Sequence, residues 1–230
     1  GRGSALTRKE RETAMTPFKD LWEMARARKG GHAAVESELP QPATPEALHA
    51  ISDSQWLSDM GKRVFSAGFN WKVIEAFDPW KIRMLSDDAL DDLAANRDLI
   101  RNRMRMESIR ENAAFLCALS EERKKPAGHV LADWPRTDYV GLLEMLKTRG
   151  ARLGGLTGMY LLRWRGVDGF VLSPDVTAAL QREGVIEGAA TSKKAMRAVQ
   201  TAFDIWHSES GRPMMQISKV LALTTGPSAA

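Results

Sequence analysis

A single cysteine, Cys117, stands in a chain of 230 residues. That excludes an internal disulfide, and it excludes a zinc site built from several cysteines at the usual spacing. Long hydrophobic runs are missing as well: no stretch approaches the roughly 18 uninterrupted apolar residues of a membrane-spanning helix. No basic segment followed by an apolar one marks a secretory leader. These absences lead us to expect a reducing, cytoplasmic setting without membrane association. Alternating runs of β-branched and aromatic residues are also lacking; Val171-Leu172 comes nearest and is too short for a strand. Nor is there a large excess of one charge: 33 Lys and Arg against 29 Asp and Glu leave +4. That balance permits a polyanionic partner without demanding one.

What is present is an ordinary globular composition, 43% hydrophobic and 27% charged, enough to build a sizeable core. The chain opens Gly-Arg-Gly-Ser and reaches its first methionine at Met15, so residues 1–14 read as the remnant of an expression tag. Residues 15–52 read as an N-terminal helical arm and residues 53–230 as the main domain. Within the arm, residues 38–45 carry Pro40, Pro42 and Pro45 and read as a linker or wrapping segment.

The periodicity predicts an all-α fold of many short helices. Thr16-Pro17 sets the start of a helix over 17–28, and Gly30-Gly31 stops it. Trp56, Leu57, Met60, Val64 and Phe65 form one apolar stripe on a helix that begins at Asp53. Asp78-Pro79 and Ser86-Asp87-Asp88 open two more helices, the second with acids where the helix dipole favours them. A long helix is predicted over 96–123, with Cys117 inside an apolar run. Further helices are predicted over 138–147, from Ser173-Pro174 to about 184, over 192–208 and over 213–223. Trp134-Pro135 and Trp206 are expected in the core.

The most informative stretch runs from Lys147 to Arg165. It carries Lys147, Arg149, Arg152, Arg163 and Arg165 and no acid. A helix ends near Thr148, and a glycine turn at Gly154-Gly155 leads into another. Glycines allow close backbone approach, and the amides at the start of the second helix form a standing anion site. Two readings are open from these residues: a grip on a phosphodiester backbone, or a helix–turn–helix corner with a solvated basic rim.

Leu153-Gly-Gly-Leu-Thr-Gly-Met-Tyr160 resembles the hairpin of helix–hairpin–helix DNA glycosylases, and most closely the 3-methyladenine DNA glycosylase I branch. Ala67-Gly68-Phe69-Asn70-Trp71, then Phe77-Asp78-Pro79, then Leu99-Ile100-Arg101-Asn102-Arg103 follow the order of that family's motifs, and Asn112-Ala113 continues it. The resemblance covers residues 53–184. It implies a monomeric, cofactor-free, nucleoid-associated enzyme acting on double-stranded DNA with a damaged base. The sequence also departs from the family pattern. The zinc clasp of two cysteines and two histidines is absent, so no metal site is expected. The base-recognising glutamate falls on Arg63. The segment between Trp71 and Phe77 is short, and residues precede Asp53 that the pattern lacks.

The resemblance implies roles residue by residue. Trp71 would stack on an N-alkylated, cationic purine through its electron-rich face. Phe69 would wedge into the gap that the flipped base leaves. Arg149, Arg152, Gly154, Gly155, Thr157 and Gly158 would hold the DNA backbone. Asp59, one turn before Arg63, either substitutes for the missing glutamate in base binding or pairs with Arg63 at i, i+4. Ser173 falls where many hairpin glycosylases carry an essential aspartate, and Asp175 follows two residues later; Asp175 is either catalytic or a charge favoured by the helix dipole. Met159 falls where lyase-competent relatives carry a lysine, so no Schiff base and no strand cleavage are expected. Two other readings remain open: a DNA-binding module that excises nothing, and a helical interaction domain.

His32, His49, His129 and His207 are scattered without metal-ligand spacing. Treatment with a chelator is therefore expected to leave the melting temperature unchanged, and elemental analysis is expected to find no stoichiometric zinc.

Overall fold

The computed structural model describes residues 15–65, 78–95 and 103–225. Among them the chain forms thirteen α-helices and one short 3-10 turn, with no strand. In chain order the helices are α1 (Phe18–Lys29), α2 (His32–Ser37), α3 (Pro45–His49), α4 (Asp53–Phe65), α5 (Pro79–Ile82), α6 (Asp87–Ala95), α7 (Arg103–Arg123), α8 (Ala127–Ala132), α9 (Tyr139–Arg149), α10 (Leu156–Arg165), α11 (Pro174–Arg182), α12 (Lys193–Ser210) and α13 (Met214–Leu223). The all-α class expected from the sequence is the class observed.

Side-chain caps set several of the starts. Thr44, Asp78, Ser173 and Ser192 each accept a hydrogen bond from an amide in the first turn of α3, α5, α11 and α12. Glycines set several of the ends: Gly30, Gly166 and Gly211 follow α1, α10 and α12 in the left-handed conformation, at φ of 84°, 85° and 67°, where a side chain would be strained. Helices α2, α3 and α8 were not anticipated. They span five or six residues each, fewer than two turns, and so carry little periodic signal.

Two compact units divide the chain, residues 1–42 with 168–230, and residues 43–167. In the first, α1 packs against α12 and α13. Trp206 is fully buried and its indole N–H donates to the Thr16 carbonyl at 3.0 Å. Phe203 lies between Trp206 and Phe170, with ring centroids 5.7 and 4.7 Å away. Asp168 accepts from the amides of Met214 and Met215 and so caps α13. The Arg212 guanidinium stacks on Trp22 and pairs with Glu36. Glu38, in the proline-rich stretch, is gripped by Lys29 and Lys219, and their hydrogen bonds hold its carboxyl below the usual range.

In the second unit α7 is the central element, packed by α4, α5, α6 and α8. Its Ile109, Ala113, Leu116 and Cys117 are buried, as are Trp56, Leu57 and Met60 of α4. Burial pushes the Cys117 thiol up, so it is a packing group and not a reactive one. Gly128 of α8 lies against the Trp56 indole; a Cβ there would sit 2.6 Å from the ring. Trp134 is half-buried, and Pro135 is exposed. That corrects the expected core placement: the Trp134 indole N–H donates to the Asp138 carbonyl at 2.8 Å and braces the turn before α9. Of the helix predicted over 96–123, residues 96–102 lie outside the described part.

Asp53 ties the second unit together. Its carboxylate accepts from the Ala127 amide at 3.1 Å, the Gly128 amide at 2.7 Å and the Ser120 hydroxyl at 3.3 Å. The start of α4 thereby caps α8 and holds α7. Asp53→Ala is expected to cost about 0.5–2 kcal/mol, the usual loss for a helix cap. Calorimetry should then show a melting temperature lower by about 2–4 °C for each kcal/mol lost.

Candidate nucleic-acid interface

The basic glycine turn joins α9 to α10, and one buried side chain holds it. Asn112, 1% exposed on α7, donates from its amide nitrogen to the Ala151 carbonyl at 3.1 Å and accepts from the Ala151 amide at 2.8 Å. A side-chain amide can satisfy both backbone groups of one residue in this way, and neither is left to water. The turn then proceeds through Arg152 at φ 60° and buried Leu153 to Gly154 and Gly155. Gly155 precedes α10 at φ 59°, ψ −138°, a conformation open essentially to glycine alone. Gly158 follows in the first turn of α10, where a Cβ would lie 2.3 Å from the Leu153 carbonyl. Its bare backbone is what lets α10 start against the turn.

This arrangement leaves the first amides of α10 without intrahelical acceptors, as at every helix start. They lie beside the half-buried Thr157 and the exposed Arg152 and Lys147. The Lys147 stem runs past Gly154, where a Cβ would lie 3.2 Å from its Cγ. Amides with the positive end of a helix dipole and exposed cations suit an anion.

Arg149 differs from its neighbours. Its guanidinium donates to both oxygens of Glu122, at 2.8 and 2.6 Å, and lies over the Phe115 ring at 5.6 Å. The expected free phosphate ligand is therefore engaged with α7, as a second tie between α7 and the end of α9. Arg165 is likewise committed: it pairs with Asp59 of α4, and burial pulls its guanidinium below its ordinary value, although an arginine stays charged.

Asp59 is 1% exposed. It pairs with Arg165 and, at 3.5 Å, with Lys62. The expected surface pair with Arg63 is thus corrected: two other cations hold the carboxylate in the interior. Arg63 instead lies over the aromatic rings of α10, 4.7 Å from the Trp164 centroid and 5.8 Å from that of Tyr160. Met159 is buried.

Ser173 and Asp175 belong to the first unit. The Ser173 hydroxyl accepts from the Val176 amide at 3.3 Å and caps α11. The Asp175 side chain is exposed in the first turn of that helix, and its carbonyl accepts from the Thr225 hydroxyl at 3.0 Å. Trp71 and Phe69, and with them the stacking and wedging roles, lie outside the described residues.

Sequence reasoning quoted Asn112 only as part of a motif and gave it no role, although a polar residue within the apolar stripe of Ile109, Ala113 and Leu116 was a signal. Glu122 offered none, because a lone glutamate near a helix end has many possible partners.

Hydrogen bonding to Arg149 holds the Glu122 carboxyl below its usual range. A depressed folded value gives stability that is present above the unfolded value and lost as the pH falls through the folded one. Glu122→Gln is accordingly expected to lower the melting temperature at about pH 7 and to match the parent near about pH 2, where both carry a neutral side chain.

Residues 50–134 match the family model described as methyladenine glycosylase, the family that the sequence motifs resemble. The match spans α4 to α8, including Asp53, Asp59, Asn112 and Glu122, and ends before the glycine turn. It suggests a DNA glycosylase. No curated protein and no solved structure matches the chain.

Proposed function

We propose that the chain is a monofunctional DNA glycosylase that excises an alkylated purine, of the 3-methyladenine kind, from duplex DNA. The observation that carries this reading is the family match over residues 50–134, whose buried Asn112 holds the acid-free glycine turn directly. The turn between α9 and α10 is then the hairpin of a helix–hairpin–helix motif. Its amides from Gly155 to Gly158, the Thr157 hydroxyl and the exposed Arg152 and Lys147 grip one strand. Phosphate contacts of this kind set register and carry most of the affinity, whatever the sequence.

Chemistry follows from a flipped nucleotide. Trp71 stacks on the purine, and its π face attracts the positive ring. Phe69 fills the vacated place in the duplex. An alkylated purine is cationic and leaves as a neutral base, so C–N cleavage needs little help from a general acid. Water then adds to the anomeric carbon, and its proton is lost to solvent or to a carboxylate. Asp59 is held by Lys62 and Arg165 and serves the pocket by fixing α4. Met159 has no amine and gives no covalent intermediate, so the product is an abasic site with the strand intact.

One observation favours a second reading, a hairpin protein that binds DNA without excising a base. Arg63 occupies the position of the base-recognising glutamate, and a guanidinium repels a cationic purine.

The test combines excision, binding and melting on the same proteins. Arg152→Glu is expected to weaken binding to any duplex and to flatten its salt dependence by roughly one counterion per lost contact. Trp71→Ala is expected to keep duplex affinity and to lose excision by roughly 5- to 150-fold, the value of one stacking contact. Full excision in a folded Trp71→Ala protein overturns the pocket assignment. No excision by the parent protein from alkylated DNA favours the second reading.

A further inference from the structure

Helix α10 carries an exposed stripe that the hairpin does not account for. Leu156, Tyr160 and Trp164 lie at i, i+4 and i+8 and are 43%, 40% and 53% exposed. Large apolar side chains at that spacing normally face a core. The opposite side of the same helix does so, through Gly158, Met159, Leu161 and Leu162.

The surroundings of this stripe are cationic. Arg63 of α4 lies over both rings, and Lys62 lies 5.9 Å from the Trp164 centroid. Helix α10 contains no acid. The nearest acid of α4, Asp59, is buried and already neutralised by Lys62 and Arg165. Among the described residues Arg63 has no carboxylate partner, so its charge is available to an incoming anion. An arginine stacked on rings is held in place by them; the Arg63 Nε is buried, which leaves its terminal N–H groups to donate.

We propose that the outer face of α10 is a stacking platform for an unpaired DNA strand, with Tyr160 and Trp164 beneath successive bases and Arg63 on the phosphate between them. The inference rests on the reading of the chain as a DNA-binding protein. Two features select a single strand over a duplex. Bases offer their faces to side chains only when they are unpaired and unstacked. Moreover, four residues of helix rise separate the two rings by about 6 Å along the axis, whereas one strand of a duplex advances about 3.4 Å per nucleotide. The rings therefore suit an extended strand. The platform starts one residue after Gly155, so a strand gripped at the hairpin continues directly onto it.

The experiment is fluorescence anisotropy on the full chain with a labelled oligo(dT), and with a labelled duplex of the same length. Tyr160→Ala with Trp164→Ala is expected to weaken oligo(dT) binding by roughly 5- to 150-fold for each ring lost. Duplex binding should stay unchanged, and the melting temperature should fall only modestly, because each ring is about half exposed and its main contact is Arg63. Tyr160→Phe with Trp164→Phe keeps two π faces and should restore most of the single-strand affinity. The proposal is overturned if oligo(dT) binding is the same in the double alanine variant, or if single-strand and duplex binding fall together. Excision by the parent without ring-dependent oligo(dT) binding removes the platform and leaves the glycosylase reading. Ring-dependent oligo(dT) binding by a parent that neither binds duplex nor excises keeps the platform and removes that reading.

Discussion

The interaction on which the second unit's candidate interface depends is the double hydrogen bond between the Asn112 side chain and the Ala151 backbone. A turn with two glycines and a left-handed arginine has many alternatives when unfolded, and each ordered residue costs about 1–2 kcal/mol of backbone entropy. One rigid, buried amide selects a single path for that turn. It also reverses the usual direction of support, because the residue that shapes the turn lies about forty positions earlier on α7. Arg149 and Glu122 repeat the tie nearly three turns further along α7, so the end of α9 is fixed at two points.

A second constraint is the buried charge on α4. An isolated carboxylate in the interior is costly, and removing one partner of a buried pair leaves the other uncompensated. Asp59 escapes that cost by having two cations, one from its own helix and one from the end of α10. The pairing decides how α4 and α10 meet. With Asp59 occupied below, Arg63 takes the remaining favourable place, over Tyr160 and Trp164. The basic, aromatic outer face of α10 is thus a consequence of where one aspartate is neutralised.

In the first unit the same economy appears at helix starts. Ser173 caps α11 through its hydroxyl, which explains a serine there without chemistry. Asp175 lies in the first turn of the same helix, where the dipole favours an acid. Its carboxylate is exposed.

The helical class, the caps at Asp78, Ser173 and Ser192 and the stop at Gly30 were determined by the sequence alone, because each depends on residues within one or two turns of one another. The glycine turn at 154–155 and the family motifs were legible for the same reason. The partners of Asp59, Arg149 and Arg165 were not. A charged side chain on a helix reads as pairing with its i, i+4 neighbour, and Asp59 with Arg63 satisfies that rule. Which of several cations is nearest in space depends on how α4 and α10 pack, and Arg165 lies more than a hundred residues from Asp59 in the chain. The sequence therefore determined where the longer helices begin and which residues carry charge. Only the tertiary structure decided which of those charges are spent inside the protein, because ion pairs between helices distant in the chain leave no local pattern.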